Sequence, residues 1–151
     1  MKYLNLKEFE FEIDTTEIIS NNKTYELHNN ADFIGYSHNI KKKEVELFWK
    51  YPSTWFIKED PFKGDKDYLI KNNIKKKIRK ISLKFNNVTF LKVSPRDPAY
   101  PDTEDSYLAS IYIVDATNRE RIGFAFQSEM SIEIEAESLI FNRKSKSKLE
   151  I

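Results

Sequence analysis

The chain has 151 residues, of which 40% are hydrophobic and 32% charged, and its 25 lysines and arginines against 24 acids leave a net charge of +1. That length suits one domain with its own core, and the near-neutral balance excludes a global field that would draw the chain to nucleic acid or an anionic membrane. The absence of cysteine excludes disulfides, thiolate zinc sites and a cysteine nucleophile.

The first residues, Met1 to Glu8, lack the apolar stretch and small-residue cleavage site of a secretory signal, and no apolar run reaches membrane-spanning length. The expected location is cytoplasmic, with no membrane partner. Abundant Lys, Asn, Ile and Glu beside scarce Ala and Gly suggest an AT-rich bacterial gene.

Phe9 to Asp14 alternates apolar with polar and predicts a first strand, after which Thr15-Thr16 is placed to cap a short helical turn through Ile18-Ile19. Asn21-Asn22-Lys23 ends that turn, and Thr24 to Leu27 reads as a short extended piece. Asp32 to His38 and Lys43 to Tyr51 flank a polar tip at Asn39 to Lys42, which predicts a β-hairpin. In its second strand Val45, Leu47, Trp49 and Tyr51 share one face, while Glu44, Glu46 and Lys50 share the other with Phe48 as an apolar intruder.

From Pro52 to Asn73 no alternation is visible, and Ile70, Ile74 and Ile78 allow either a short helix near Lys66 to Lys76 or a surface loop. Ile81, Leu83 and Phe85 then mark a strand, and Asn86-Asn87 predicts either a tight hairpin turn or a bulge before Val88 to Val93. Three prolines between Pro95 and Pro101 fix a rigid loop. Tyr107 to Asp115 and Arg121 to Gln127 predict another hairpin, with Ile111 to Val114 apolar on both faces, and Ser131 to Asn142 predicts a closing strand. Seven to nine such strands with at most one or two short helices argue a mainly β fold, an antiparallel β-sandwich or partly open barrel. One β-rich domain is expected over 1–142, followed by a basic flexible tail over 143–151.

The residues able to carry chemistry are few. Asp97, Asp102, Glu104 and Asp105 crowd the proline-rich loop, but without the glycine and alternating ligands of a calcium loop. The plainer reading is a solvated acidic loop. Its interest is as a binding surface, because prolines hold it still and Tyr100 and Tyr107 flank the carboxylates. Trp55, beside Pro52-Ser53-Thr54, adds a candidate exposed anchor. Lys71 to Lys80 is the main basic patch, without the overall charge or motif of a nucleic-acid reader. His28 and His38 have no third ligand at metal-motif spacing, so no metal or cofactor is expected, and Asn87-Val88-Thr89 is taken as a chance sequon.

Leu27-His28-Asn29-Asn30-Ala31, a hairpin ending in Val45-Glu46-Leu47, and Ile81-Ser82-Leu83-Lys84-Phe85-Asn86-Asn87-Val88 follow one another in order. Over Leu27 to Val93 the chain resembles small β-rich proteins, some of which are classed as immunity proteins of bacterial polymorphic toxin systems. Asn29 stands where that pattern prefers aspartate. The resemblance implies a protein without catalytic residues that acts by occluding a toxin surface. The candidate contacts come from the loop and aromatic readings above: Asp97, Tyr100, Asp102, Glu104, Asp105, Tyr107 and Trp55. The alternative is a β-barrel or sandwich that holds a small ligand or carbohydrate, or hydrolyses a substrate, using the same aromatic and acidic residues. Oligomeric state is left open by the sequence.

Overall fold

The structure, a computed structural model, describes residues 8–52, 78–115 and 118–143. Its strands in chain order are β1 (Glu10–Phe11), β2 (Glu17–Ser20), β3 (Lys23–Glu26), β4 (Asp32–Asn39), β5 (Glu44–Pro52), β6 (Ile78–Asn86), β7 (Phe90–Ser94), β8 (Leu108–Asp115), β9 (Asn118–Phe126), β10 (Ser131–Glu135) and β11 (Ser138–Arg143), with a 3-10 helix at Asp102–Ser106. They form three antiparallel sheets, ordered β11-β6-β5-β4, β7-β10-β9-β8 and β1-β2-β3. The fold is mainly β and sandwich-like, as the alternation predicts.

Alternation decides which faces meet. Val45, Leu47, Trp49 and Tyr51 on β5, and Ile81, Leu83 and Phe85 on β6, are buried on one face of the first large sheet. Ile122, Phe124 and Phe126 on β9 and Ile132 and Ile134 on β10 oppose them from the second. Phe124 packs against Trp49 at 6.2 Å and Phe85 at 6.1 Å, and Phe33 packs against Phe126 at 4.5 Å. The small sheet closes one side: Phe11 reaches Phe124 at 6.1 Å, and Tyr25 lies edge-on to Phe141 at 5.0 Å. Its β1–β2 turn also covers the outer edge of β8, where Asp14 and Ile111 donate backbone amides to Ile111 and Thr15 respectively.

The structure revises the chain at five places. Thr15-Thr16 caps no helical turn; Glu17 to Ser20 is a strand, because Asn21 (φ 52) and Asn22 (φ 61) form a left-handed two-residue turn that pairs Ser20 with Lys23. The first strand is shorter than Phe9 to Asp14, since the chain turns away and Asp14 adopts φ 65. Asn86-Asn87 is neither a hairpin turn nor a bulge: β6 pairs with β5 and β11, whereas β7 pairs with β10 in the other sheet. Ser131 to Asn142 is likewise two strands in different sheets. The β8 segment is not buried on both faces, because Tyr112 and Val114 are half-buried on the outside.

The two sheet-to-sheet corners run side by side and are stitched together. Thr89 donates its amide to the Glu135 carbonyl at 2.9 Å, Glu137 donates to the Asn86 carbonyl at 3.1 Å, and the Asn87 amide donates to the Glu137 carboxylate at 2.5 Å. Strands that change sheets at a bend make the corner of a sandwich. The helix-or-loop segment near Lys66 to Lys76 and residues 144–151 lie outside the described residues. Arg143 closes β11 and donates to the Tyr25 hydroxyl at 3.2 Å.

On the outer face of β9, a side chain at Gly123 would overlap the Tyr112 ring, whose hydroxyl is held by Glu133 at 3.0 Å. Gly123→Ala is expected to cost about 1–3 kcal/mol in a urea titration, and Tyr112→Ala in the same chain to remove most of that penalty. Burial, reinforced by nearby Tyr25, pushes the Tyr51 hydroxyl from 10.0 up to about 12. The neutral phenol is thus favoured by folding, so its contribution is complete below pH 10 and is lost as pH rises towards 12. Thermal unfolding followed across that window should show a shallower alkaline decline for Tyr51→Phe.

Candidate functional site

The proline-rich loop leaves β7 and returns to β8 through the 3-10 helix, and one side chain organises it. Arg96 donates from Nε to both oxygens of Asp105 at 3.0 and 3.1 Å, places Nη1 3.2 Å from Asp102, and donates from Nη2 to the Tyr100 carbonyl at 2.8 Å. A planar guanidinium with several fixed donors suits this task, which a lysine would not perform equivalently. Asp97 adds a local turn by accepting the Ala99 amide at 2.9 Å, and Tyr100 donates its amide to the Asp97 carbonyl at 3.1 Å.

The loop is also fastened to the β9–β10 turn. Asp97 donates its amide to the Ser128 carbonyl, and Gln127 donates to the Tyr107 carbonyl, both at 2.8 Å. The buried Ser128 hydroxyl helps hold the Asp105 carboxyl below its ordinary value, and Arg96 adds to that shift. The 3-10 helix lies beside β4 and β9. His28 sits under it: Nδ1 donates to the Leu108 carbonyl at 3.0 Å, and the ring meets Tyr107 edge-on at 5.8 Å. Because a carbonyl only accepts, Nδ1 carries a proton.

The expected site residues therefore divide. Tyr100 is 40% exposed and the Asp102 side chain 97% exposed, so these two stand on the surface. Glu104 is half-buried in the first turn of the 3-10 helix. Asp97 and Asp105 are spent on the loop's own geometry, and Tyr107 is half-buried with its ring edge-on to His28. Trp55 lies outside the described residues. Arg96 and Ser128 are the residues that sequence reasoning missed. The only signal for Arg96 is its place between Pro95 and Pro98 beside a surplus of acids, and Ser128 carried none.

His28 and His38 join no metal site: no group of three or more metal-ligating side chains occurs among the described residues. No helix among them is long and apolar enough to cross a membrane. Compared with protein-family models, curated proteins and solved structures, the chain matches none.

The depressed Asp105 carboxyl implies stability that is complete above its ordinary value of 3.8 and is lost as pH falls through its lower folded value. Asp105→Asn should accordingly lower the melting temperature at neutral pH, and the gap to the unaltered protein should close on acidification below 3.8. Calorimetry across that range checks it; a gap independent of pH would show that the charge is not what stabilises the loop.

Proposed function

We propose that the chain is a non-enzymatic protein-binding module, of the kind that acts as an immunity protein in the bacterial cytoplasm, and that it masks a basic surface of a partner. The observation that carries this reading is the arrangement around Arg96, which fixes a loop presenting Tyr100 and Asp102 outward with half-buried Glu104 beside them. A loop already in one conformation loses little entropy on binding. Its exposed tyrosine offers amphipathic contact area, and its carboxylates steer a cationic partner towards it. The carboxylates tied to Arg96 are not available as a free acid and base pair, which is why masking is preferred to hydrolysis here.

The test separates surface from scaffold. Tyr100→Ala, Asp102→Lys and Glu104→Lys combined, with Asp105 retained for its contacts to Arg96, should weaken the complex by about 100-fold, as loss of a central contact and reversal of steering charges does elsewhere. Folding stability should stay within about 0.5 kcal/mol for each of the two exposed changes, at Tyr100 and Asp102, measured as single variants. Binding is to be measured by calorimetry against a toxin-like protein encoded beside this chain, first shown to co-purify with it. Undiminished affinity in the triple variant, or substrate turnover abolished by one carboxylate substitution, would overturn the proposal.

A further inference from the structure

The sheet β11-β6-β5-β4 ends in β4, which among the described residues has a strand neighbour on one side only. An open edge is a row of unpaired backbone donors and acceptors, and natural sheets guard such rows with lysine, proline, shortness or cover. The other edges here are guarded. The β1–β2 turn covers β8, while β7 carries Lys92 and runs on to Pro95. Arg143 ends β11 and is bonded to Tyr25 of the small sheet, whose own edges are a two-residue β1 and a β3 that starts at Lys23. By contrast β4 has eight residues, Asp32–Asn39, with neither lysine nor proline among them.

Its one irregularity sets the usable length. The register with β5 shifts between Phe33 and Gly35, a bulge that bends the strand, and from Gly35 to Asn39 the pairing is regular. Tyr36, Ser37, His38 and Asn39 are all exposed. Ile34 is 44% exposed, Tyr36 43% and Ile40, just past the strand, 78%, so three of the six exposed large apolar side chains among the described residues lie within seven positions. Charge is split between the ends: Asp32 opens the strand, and exposed Lys41, Lys42 and Lys43 form the tip of its hairpin. A strand of this kind is complementary to its own copy when the two run antiparallel, whereas a parallel arrangement would bring the lysine tips together.

We propose that β4 pairs with β4 of a second copy, antiparallel about a two-fold axis through Ser37, and joins two four-stranded sheets into one. The axis falls there because Ser37 is the centre of the regular stretch, so this register uses every residue from Gly35 to Asn39. Tyr36 then lies opposite His38 of the second copy, and Gly35 opposite Asn39. Tyr36 and His38 stand on the face that carries Leu47 and Val45, so the two rings meet on one side of the joined sheet. Followed outward, the same register brings Ile34 to Ile40 of the second copy and Asp32 towards its Lys42. A two-fold contact of this kind closes on itself and does not propagate into fibres. So short a pairing buries less than the roughly 1,200 Å² of a durable interface, and the dimer is accordingly weak, half-formed at about 0.1 mM. It shares no residue with the Arg96 loop, so it stands or falls separately from the masking function.

Sedimentation of the full chain from about 1 µM to about 1 mM tests it, since the weight-average mass should rise from 18.0 kDa towards twice that value. Cysteine substitution then reads the register, because the chain has no thiol of its own. On the axis, Ser37→Cys meets its own copy directly across the strands, at the Cα separation of about 4.5–5.5 Å that a disulfide accepts, and copper phenanthroline as oxidant should link most of the chain into dimer. Asn39→Cys, exposed on the same strand, stands about 13 Å from its own copy and should link at least about tenfold more slowly. A mass that stays at 18.0 kDa throughout overturns the proposal and leaves the edge to an extended segment of a different protein. Equal linking at the two positions, or none at Ser37, overturns it as well.

Discussion

The ring of Phe124 is the constraint on which the rest of the structure depends. It is fully buried on β9 and touches Phe11 from the small sheet, Trp49 from β5 and Phe85 from β6, so one side chain sees all three sheets. Burying such a side chain contributes about 1.5–3 kcal/mol, and each well-oriented aromatic pair adds about 0.5–1.5 kcal/mol. Without that shared contact the small sheet would retain fewer reasons to lie across the open side of the sandwich, and the covered edge of β8 would be left unpaired.

From this core the two candidate surfaces follow by different routes. The Arg96 loop lies at an end of the sandwich, where connections must run and where polar backbone can reach water or side-chain partners. It is held by charge and hydrogen bonding, with no fully buried residue in its 3-10 helix. The β4 edge belongs to the side of a sheet and is held by strand register. It owes its openness to what is missing, a neighbouring strand, and its regular part begins where the bulge ends. One surface can be altered without disturbing the other, because no side chain is common to both.

What could be read from the sequence was whatever lies within one strand. The inward faces of β5 and β6 were legible because Val45, Leu47, Trp49 and Tyr51, then Ile81, Leu83 and Phe85, keep strict period two. The corners were hidden because alternation persists on both sides of them. Their trace is a single-residue phase slip, in which Ile132, Ile134 and Ala136 point inward and then Leu139 does. The Thr15-Thr16 pair looked like a helix cap because in a cap and in this turn alike the hydroxyl accepts a nearby backbone amide, here that of Glu17 at 3.3 Å, and the left-handed pair at Asn21-Asn22 distinguishes them. The crowding of acids near Tyr100 was legible too. The pairing of Asp102 and Asp105 with Arg96 was not, since it depends on how the loop folds back on itself, and the open side of β4 was invisible because the order of strands in a sheet is not written in any one of them.

The stitched corners also bear on how the chain reaches this state. The hydrogen bonds that close them join Thr89 to Glu135 and Asn87 to Glu137, residues 46 and 50 positions apart, so neither corner can form until β10 and β11 have been made and brought back. Loop-closure entropy must be met before such distant pairings reward it, and topologies dominated by them fold in milliseconds to seconds. The local hairpins β2–β3, β4–β5 and β8–β9 need no such return and can form early. Until β11 is in place, the flank of β6 that it covers stands open to association with another chain, the kind of unpaired strand edge at which a crowded cell diverts molecules into aggregates.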